Sequence, residues 1–132
     1  MVLVDPSQED FFEWQVAQDP NQTRERTVRL TDEVDCAPAT LAQAQASRIP
    51  AGVPVVLITA MGTRDVPEGS LDTVQKMWEA KLRFHNGWVD KLPNARHIVT
   101  YRSGHLVPYE EPQLIIDAVG QVVEQTRQRS TR

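Results

Sequence analysis

The chain has 132 residues, 40% of them hydrophobic and 24% charged, with a formal net charge of -4 at neutral pH. That length fits one domain, and the acidic balance, with basic residues gathered only in the terminal "RQRSTR", argues against a nucleic-acid partner. No run of about 18 apolar residues is present to span a membrane, "MVLVDPSQED" lacks the basic region of a signal peptide, and the single cysteine, Cys36, excludes an internal disulfide and suits a reducing, cytoplasmic compartment.

The first element is "MVLV", residues 1–4, apolar at every position and closed at once by Asp5 and Pro6. Such a run fits a strand buried on both faces of a parallel sheet. "SQEDFFEWQVAQ" reads as a short amphipathic helix with Ser7 and Asp10 as a capping pair. Residues 18–36 are polar and acidic without periodicity. "APATLAQAQAS" is an alanine-rich helix with Pro38 near its start. "VPVVLITA", residues 53–60, is the second buried strand, and "MGTRDVPEGS" is the loop after it. Leu71, Val74, Trp78, Leu82, His85, Val89 and Leu92 then recur at steps of three and four, one face of a helix. Ser70 suits its cap and Asp72 its positive end, while Gly87 weakens it by about 1 kcal/mol relative to alanine. "RHIVTY" is the third strand. In the last helix Pro112 occupies the first turn, where its missing N–H is harmless, and Leu114, Ile115, Ala118, Val119, Val122 and Val123 form the apolar face.

Strands alternating with helices imply an α/β fold, a parallel sheet with flanking helices, here about three strands and four helices. Ligands of such sheets bind beyond the carboxyl ends of the strands. Three polar residues follow strand ends: Asp5, Asp65 and His105. An acid and a histidine at that edge are the orienting and proton-transferring members of a nucleophilic triad. The third member belongs on a G-x-S-x-G turn, and the chain contains no such sequence. His85 lies on the apolar stripe and His97 in a strand, so both read as structural. Asp72 reads as a helix-end charge, and Trp78 and Trp88 as packing.

"LPNARHIVTYRSGHLVPYEEPQLIIDAVGQVV" resembles the final strand, catalytic-histidine loop and last helix of the α/β-hydrolase superfamily. "MVLVDPSQED" is similar to the sixth strand of that fold and "IPAGVPVVLITA" to the seventh. The resemblance runs through the whole chain in order and covers the C-terminal half of the fold, residues 1–132. It places strands one to five, the oxyanion loop and the nucleophile elbow before residue 1, and residues 6–50 where the superfamily inserts a lid or cap.

The resemblance implies an esterase- or lipase-like serine hydrolase acting on ester or other acyl bonds, with neither metal nor organic cofactor. His105 would be the general base. The acid would be Asp65, after the seventh strand, or Asp5, after the sixth; Pro6 favours Asp5 by restricting the residue before it. Without a nucleophile the chain alone would be inactive, unless Cys36 or Ser103 takes that place. The alternative is a non-enzymatic assembly or interaction module that reuses half of the fold. Either way, the unpartnered edge of "MVLV" implies self-association or an N-terminal half supplied in trans. Neither nucleic acid nor membrane is expected as a partner.

Overall fold

The computed structural model describes residues 1–6, 14, 17–18, 49–63, 66 and 71–130. The chain divides into two units, Met1–Pro6 with Ile49–Arg132, and Ser7–Arg48. Of the second, Trp14, Ala17 and Gln18 are helical. The alanine-rich helix expected after Pro38, Cys36, the cap residue Ser70 and Asp65 all lie outside the described residues, as does most of the expected lid.

The first unit is a three-stranded parallel sheet with helices on both faces. Strands β1 (Val2–Val4), β2 (Val55–Ala60) and β3 (Ala95–Thr100) lie side by side in that order. Val2 pairs with Val56 and Val4 with Ile58, while Val55 pairs with Ala95 and Ala60 with Thr100. The helices are α1 (Leu71–Val89), the four-residue α2 (Val107–Glu110) and α3 (Pro112–Ser130). The first unit thus holds three helices among its described residues. α2 was not expected; "VPYE" reads as loop, and a single turn is too short to show periodicity.

β2 is the centre of the unit, and all six of its residues are buried. Its side chains alternate between two layers. Val56, Ile58 and Ala60 form a core with Val107 and Ala118, joined by Val2, Val4, Leu114, Ile115 and Val122. Thr59 points the other way, to His85 on α1. Fully buried Leu57 and Ile58 each contribute about 1.5–3 kcal/mol of transfer free energy. β1, expected to be buried on both faces, is only half-buried along its length, because among the described residues it has a neighbour on one side only. Its start is nevertheless tied down. The N-terminal ammonium donates to Pro54 O at 2.6 Å and Val56 N–H donates to Met1 O at 2.9 Å.

The two long helices follow their patterns in part. α1 turns Ala80 and His85 fully inward and carries Asp72 in its first turn, while Leu71 at its tip is 54% exposed. α3 begins at Pro112, as its sequence implies. Of its expected apolar face, Leu114, Ile115, Ala118 and Val122 meet the sheet, whereas Val119 and Val123, with Ile116, are exposed. No described helix is long and apolar enough to cross a membrane.

Candidate active site

The carboxyl ends of the three strands bring Asp5 and His105, a hundred residues apart, into contact. The parallel register sets this up. Ala60 ends β2 opposite Thr100 of β3, and Asp5 follows Val4, the partner of Ile58. Asp5 and the loop carrying His105 therefore emerge on either side of Ala60. His105 Nδ1 lies 2.9 Å from Asp5 Oδ2. The acid is buried, with 5% of its side chain exposed, and the imidazole is open, with 74% exposed.

Asp5 is held from several directions. Its N–H donates to Ile58 O at 2.7 Å, and Ala60 N–H donates to its Oδ1 at 3.0 Å. Lys81 Nζ, from α1, donates to Oδ1 at 2.9 Å, to Oδ2 at 3.2 Å and to Ala60 O at 2.5 Å. Burial pushes the carboxyl pKa up, but the His105 hydrogen bond, the Lys81 charge and the Ala60 N–H outweigh it and hold Asp5 below its ordinary value. It is an anion at neutral pH. Its φ of 41° lies outside the extended region that a following proline favours, so the restriction expected from Pro6 is not what sets it. Asp5 occupies the left-handed region instead, which aspartate tolerates better than most residues. The hydrogen bonds to β2 and Lys81 set its orientation, not the proline.

The His105 loop is clamped from below by two carboxylates. Thr100 Oγ1 donates to Glu111 Oε2, Ser103 Oγ donates to the same oxygen at 2.8 Å, and Gly104 N–H donates to Glu110 Oε2 at 2.8 Å. Burial raises the Glu111 pKa, but the hydroxyls of Thr100 and Ser103 and the Arg102 charge lower it more. Gly62 N–H reaches Ser103 O at 2.9 Å. A Cβ on Gly62 would stand 2.5 Å from that oxygen, so the close approach of the two loops requires glycine there. Ser103, considered above as a substitute nucleophile, is fully buried and committed to Glu111. An open groove lined by Thr63, Tyr101, Arg102, Glu110 and Glu111 runs beside this loop.

A second histidine cluster sits behind the first. Thr59 Oγ1 is 2.6 Å from both His85 Nδ1 and His97 Nε2, His85 Nε2 is 3.1 Å from Pro6 O, and His97 Nδ1 is 2.8 Å from Asn86 Oδ1. Proton counting orders this chain. Pro6 O can only accept, so His85 carries its proton on Nε2. Its Nδ1 then accepts from the Thr59 hydroxyl, whose oxygen accepts from His97 Nε2–H. As placed, Asn86 Oδ1 accepts from His97 Nδ1–H, so the ring donates from Nε2 as well only when protonated; a neutral ring that donates from Nε2 requires the amide turned so that its NH2 faces Nδ1. Burial pushes both imidazole pKa values down, which favours the neutral chain. The expectation that His85 and His97 are structural agrees with this geometry. Among the described residues, every buried side-chain nitrogen and oxygen has a hydrogen-bond partner.

The carboxylate on Nδ1 fixes the His105 ring as the Nδ1–H tautomer and turns the Nε2 lone pair outward. That arrangement leaves Nε2 able to accept a proton from a hydroxyl or a water placed beyond the strand ends. Lys81 escaped the sequence reading, although it left a signal. It falls three residues after Trp78 and four before His85, a cation on an apolar stripe. Among the described residues no group of three or more His, Cys, Asp or Glu side chains converges as a metal would need. No family model, curated protein or solved structure matches the chain.

Proposed function

We propose that Asp5 and His105 are the acid and the general base of a serine-hydrolase-type site acting on ester or other acyl bonds, in a chain that forms the C-terminal half of an α/β-hydrolase fold. The observation that carries this reading is the 2.9 Å contact between a buried carboxylate and the Nδ1 of an open imidazole at the carboxyl edge of a parallel sheet. The ordered resemblance of all three strands and the last helix supports it. Asp5 is the acid of this reading. The nucleophile is a serine outside these 132 residues, on the same polypeptide or on a partner chain.

In the reaction, the serine proton passes to His105 Nε2 as Oγ attacks the acyl carbon. The resulting imidazolium, facing Asp5, returns that proton to the leaving alcohol as the tetrahedral intermediate collapses. A water activated by the same nitrogen then releases the acid. The single cysteine, Cys36, supports a cytoplasmic location.

A second reading, an assembly module without catalysis, draws on β1, which among the described residues is paired along one edge only, and on the exposed Ile116, Val119 and Val123 of α3. One experiment separates the two. The natural gene product carrying these residues is treated in its own cell extract with a fluorophosphonate probe, which marks activated serines. The enzyme reading expects a labelled serine outside residues 1–132, on this polypeptide or on one that co-purifies with it, and loss of label in His105→Ala. Absence of label, or label indifferent to His105→Ala, overturns it.

A further inference from the structure

The Asp5 carboxylate has more partners than the orientation of one imidazole requires. Lys81, Asp5 and Ala60 form a closed ring. The ammonium donates to both carboxylate oxygens and to Ala60 O, and Ala60 N–H donates back to Oδ1. All three ammonium hydrogens have acceptors in this ring, and none of the ring's own bonds involves His105. The carboxylate plane is therefore set by the end of β2 and by α1, with Oδ2 left facing the histidine loop. Lys81 is itself largely enclosed, with 13% of its side chain exposed. A carboxylate this deeply buried needs a paired charge, and Lys81 supplies it.

We propose that Lys81 is a positioning residue for His105, acting through Asp5; this deepens the acid–base reading above and rests on it. Lys81 neutralises the buried acid and fixes its rotation, so that Oδ2 takes the Nδ1–H and the Nε2 lone pair faces outward. Arginine cannot substitute. Its planar fork suits a bidentate carboxylate, not three acceptors that converge on one nitrogen from a carboxylate and a backbone carbonyl.

The test is the tautomer of His105 in the whole chain, read from long-range proton–nitrogen correlations, with a thermal melt of each variant. The wild type is expected to show the Nδ1–H form. In Lys81→Met the freed carboxylate rotates, and His105 passes to a mixture of Nδ1–H and Nε2–H forms. Lys81→Arg keeps the charge and the fold but also shows the mixture. A purely structural role would move the melt alone, as Leu82→Ala on the same helix is expected to do. A single Nδ1–H form in either folded Lys81 variant overturns the proposal, and if Lys81→Met does not fold, Lys81→Arg decides it. These spectra need neither substrate nor nucleophile, so they succeed or fail independently of fluorophosphonate labelling.

Discussion

His85 and His105 both reach the turn at Asp5 and Pro6, yet their surroundings give them opposite properties. His85 bonds to the Pro6 carbonyl and is fully buried; His105 bonds to the Asp5 carboxylate and presents 74% of its side chain to solvent. The buried ring has both nitrogens committed, and desolvation keeps it uncharged. The open ring has one nitrogen on an anion and the other outward. One imidazole therefore ties α1 to the sheet, and the other, on the reading proposed above, moves protons. A histidine's role in this fold is decided by what faces its second nitrogen.

The largest expected effect comes from removing the group that serves the open site from beneath. Asp5→Ala leaves Lys81 enclosed without its carboxylate and is expected to cost about 3–5 kcal/mol, since breaking a buried pair strands its partner. Chemical denaturation measures this. A loss below about 1 kcal/mol would show that Lys81 turns out to solvent, and that Asp5 is a surface acid in energetic terms.

The buried cluster should respond next. Thr59→Val is nearly isosteric but removes the one hydroxyl that joins His85 to His97. With two imidazole nitrogens left unpaired, the expected cost is about 2–4 kcal/mol. An unchanged stability would mean that water replaces the hydroxyl.

The same cluster gives stability its pH dependence. Both imidazoles titrate lower in the folded chain than in the unfolded one, so the unfolded chain binds protons that the folded chain refuses. Stability is at its full value above about pH 6.5 and falls as the pH drops below it. Asp5, Lys81 and His97 are the charged or titratable groups that act on His85. Asp5, whose folded pKa is depressed, contributes stability that is full above about pH 3.9 and is lost as the pH falls through its folded value. Urea melts at about pH 7.5 and 5.5 should show the first loss equally in wild type and in His105→Ala. A fall confined to the wild type would transfer the effect to the open site.

The smallest effect on stability belongs to His105→Ala itself. An exposed ring whose acid keeps Lys81 and Ala60 as partners should be worth about 0.5 kcal/mol. A variant that folds as the wild type does, yet abolishes serine labelling, would complete the contrast between the two histidines.

Much of this arrangement was readable in the sequence, for physical reasons. A run such as "VVLITA" can be satisfied only by burial on both faces, and a parallel sheet places the residues that follow its strands on one edge; that reasoning singles out Asp5, Asp65 and His105 together, without choosing between the two acids. The inward turn of His85 followed from its place on the helical stripe. Lys81 did not emerge, because periodicity assigns a face but does not pair residues 76 positions apart. Thr59 was hidden inside an apolar run, where its hydroxyl gave no alternation to notice. The left-handed backbone of Asp5 went against the local preference before proline, since four tertiary hydrogen-bond partners outweighed it. β1 read as a central strand from its side chains, but burial depends on neighbours that a strand's own residues do not specify.

The central claim, that Asp5 orients His105 as a general base, is tested most directly by the protonation of that ring at about pH 8, where free histidine is neutral. Long-range proton–nitrogen spectra of the wild-type chain should show His105 with its proton on Nδ1, and Asp5→Asn should remove that preference. A proton on Nε2, or an even mixture of the two tautomers in the wild type, would contradict the account, because the nitrogen that faces the reaction would then be a donor rather than a base.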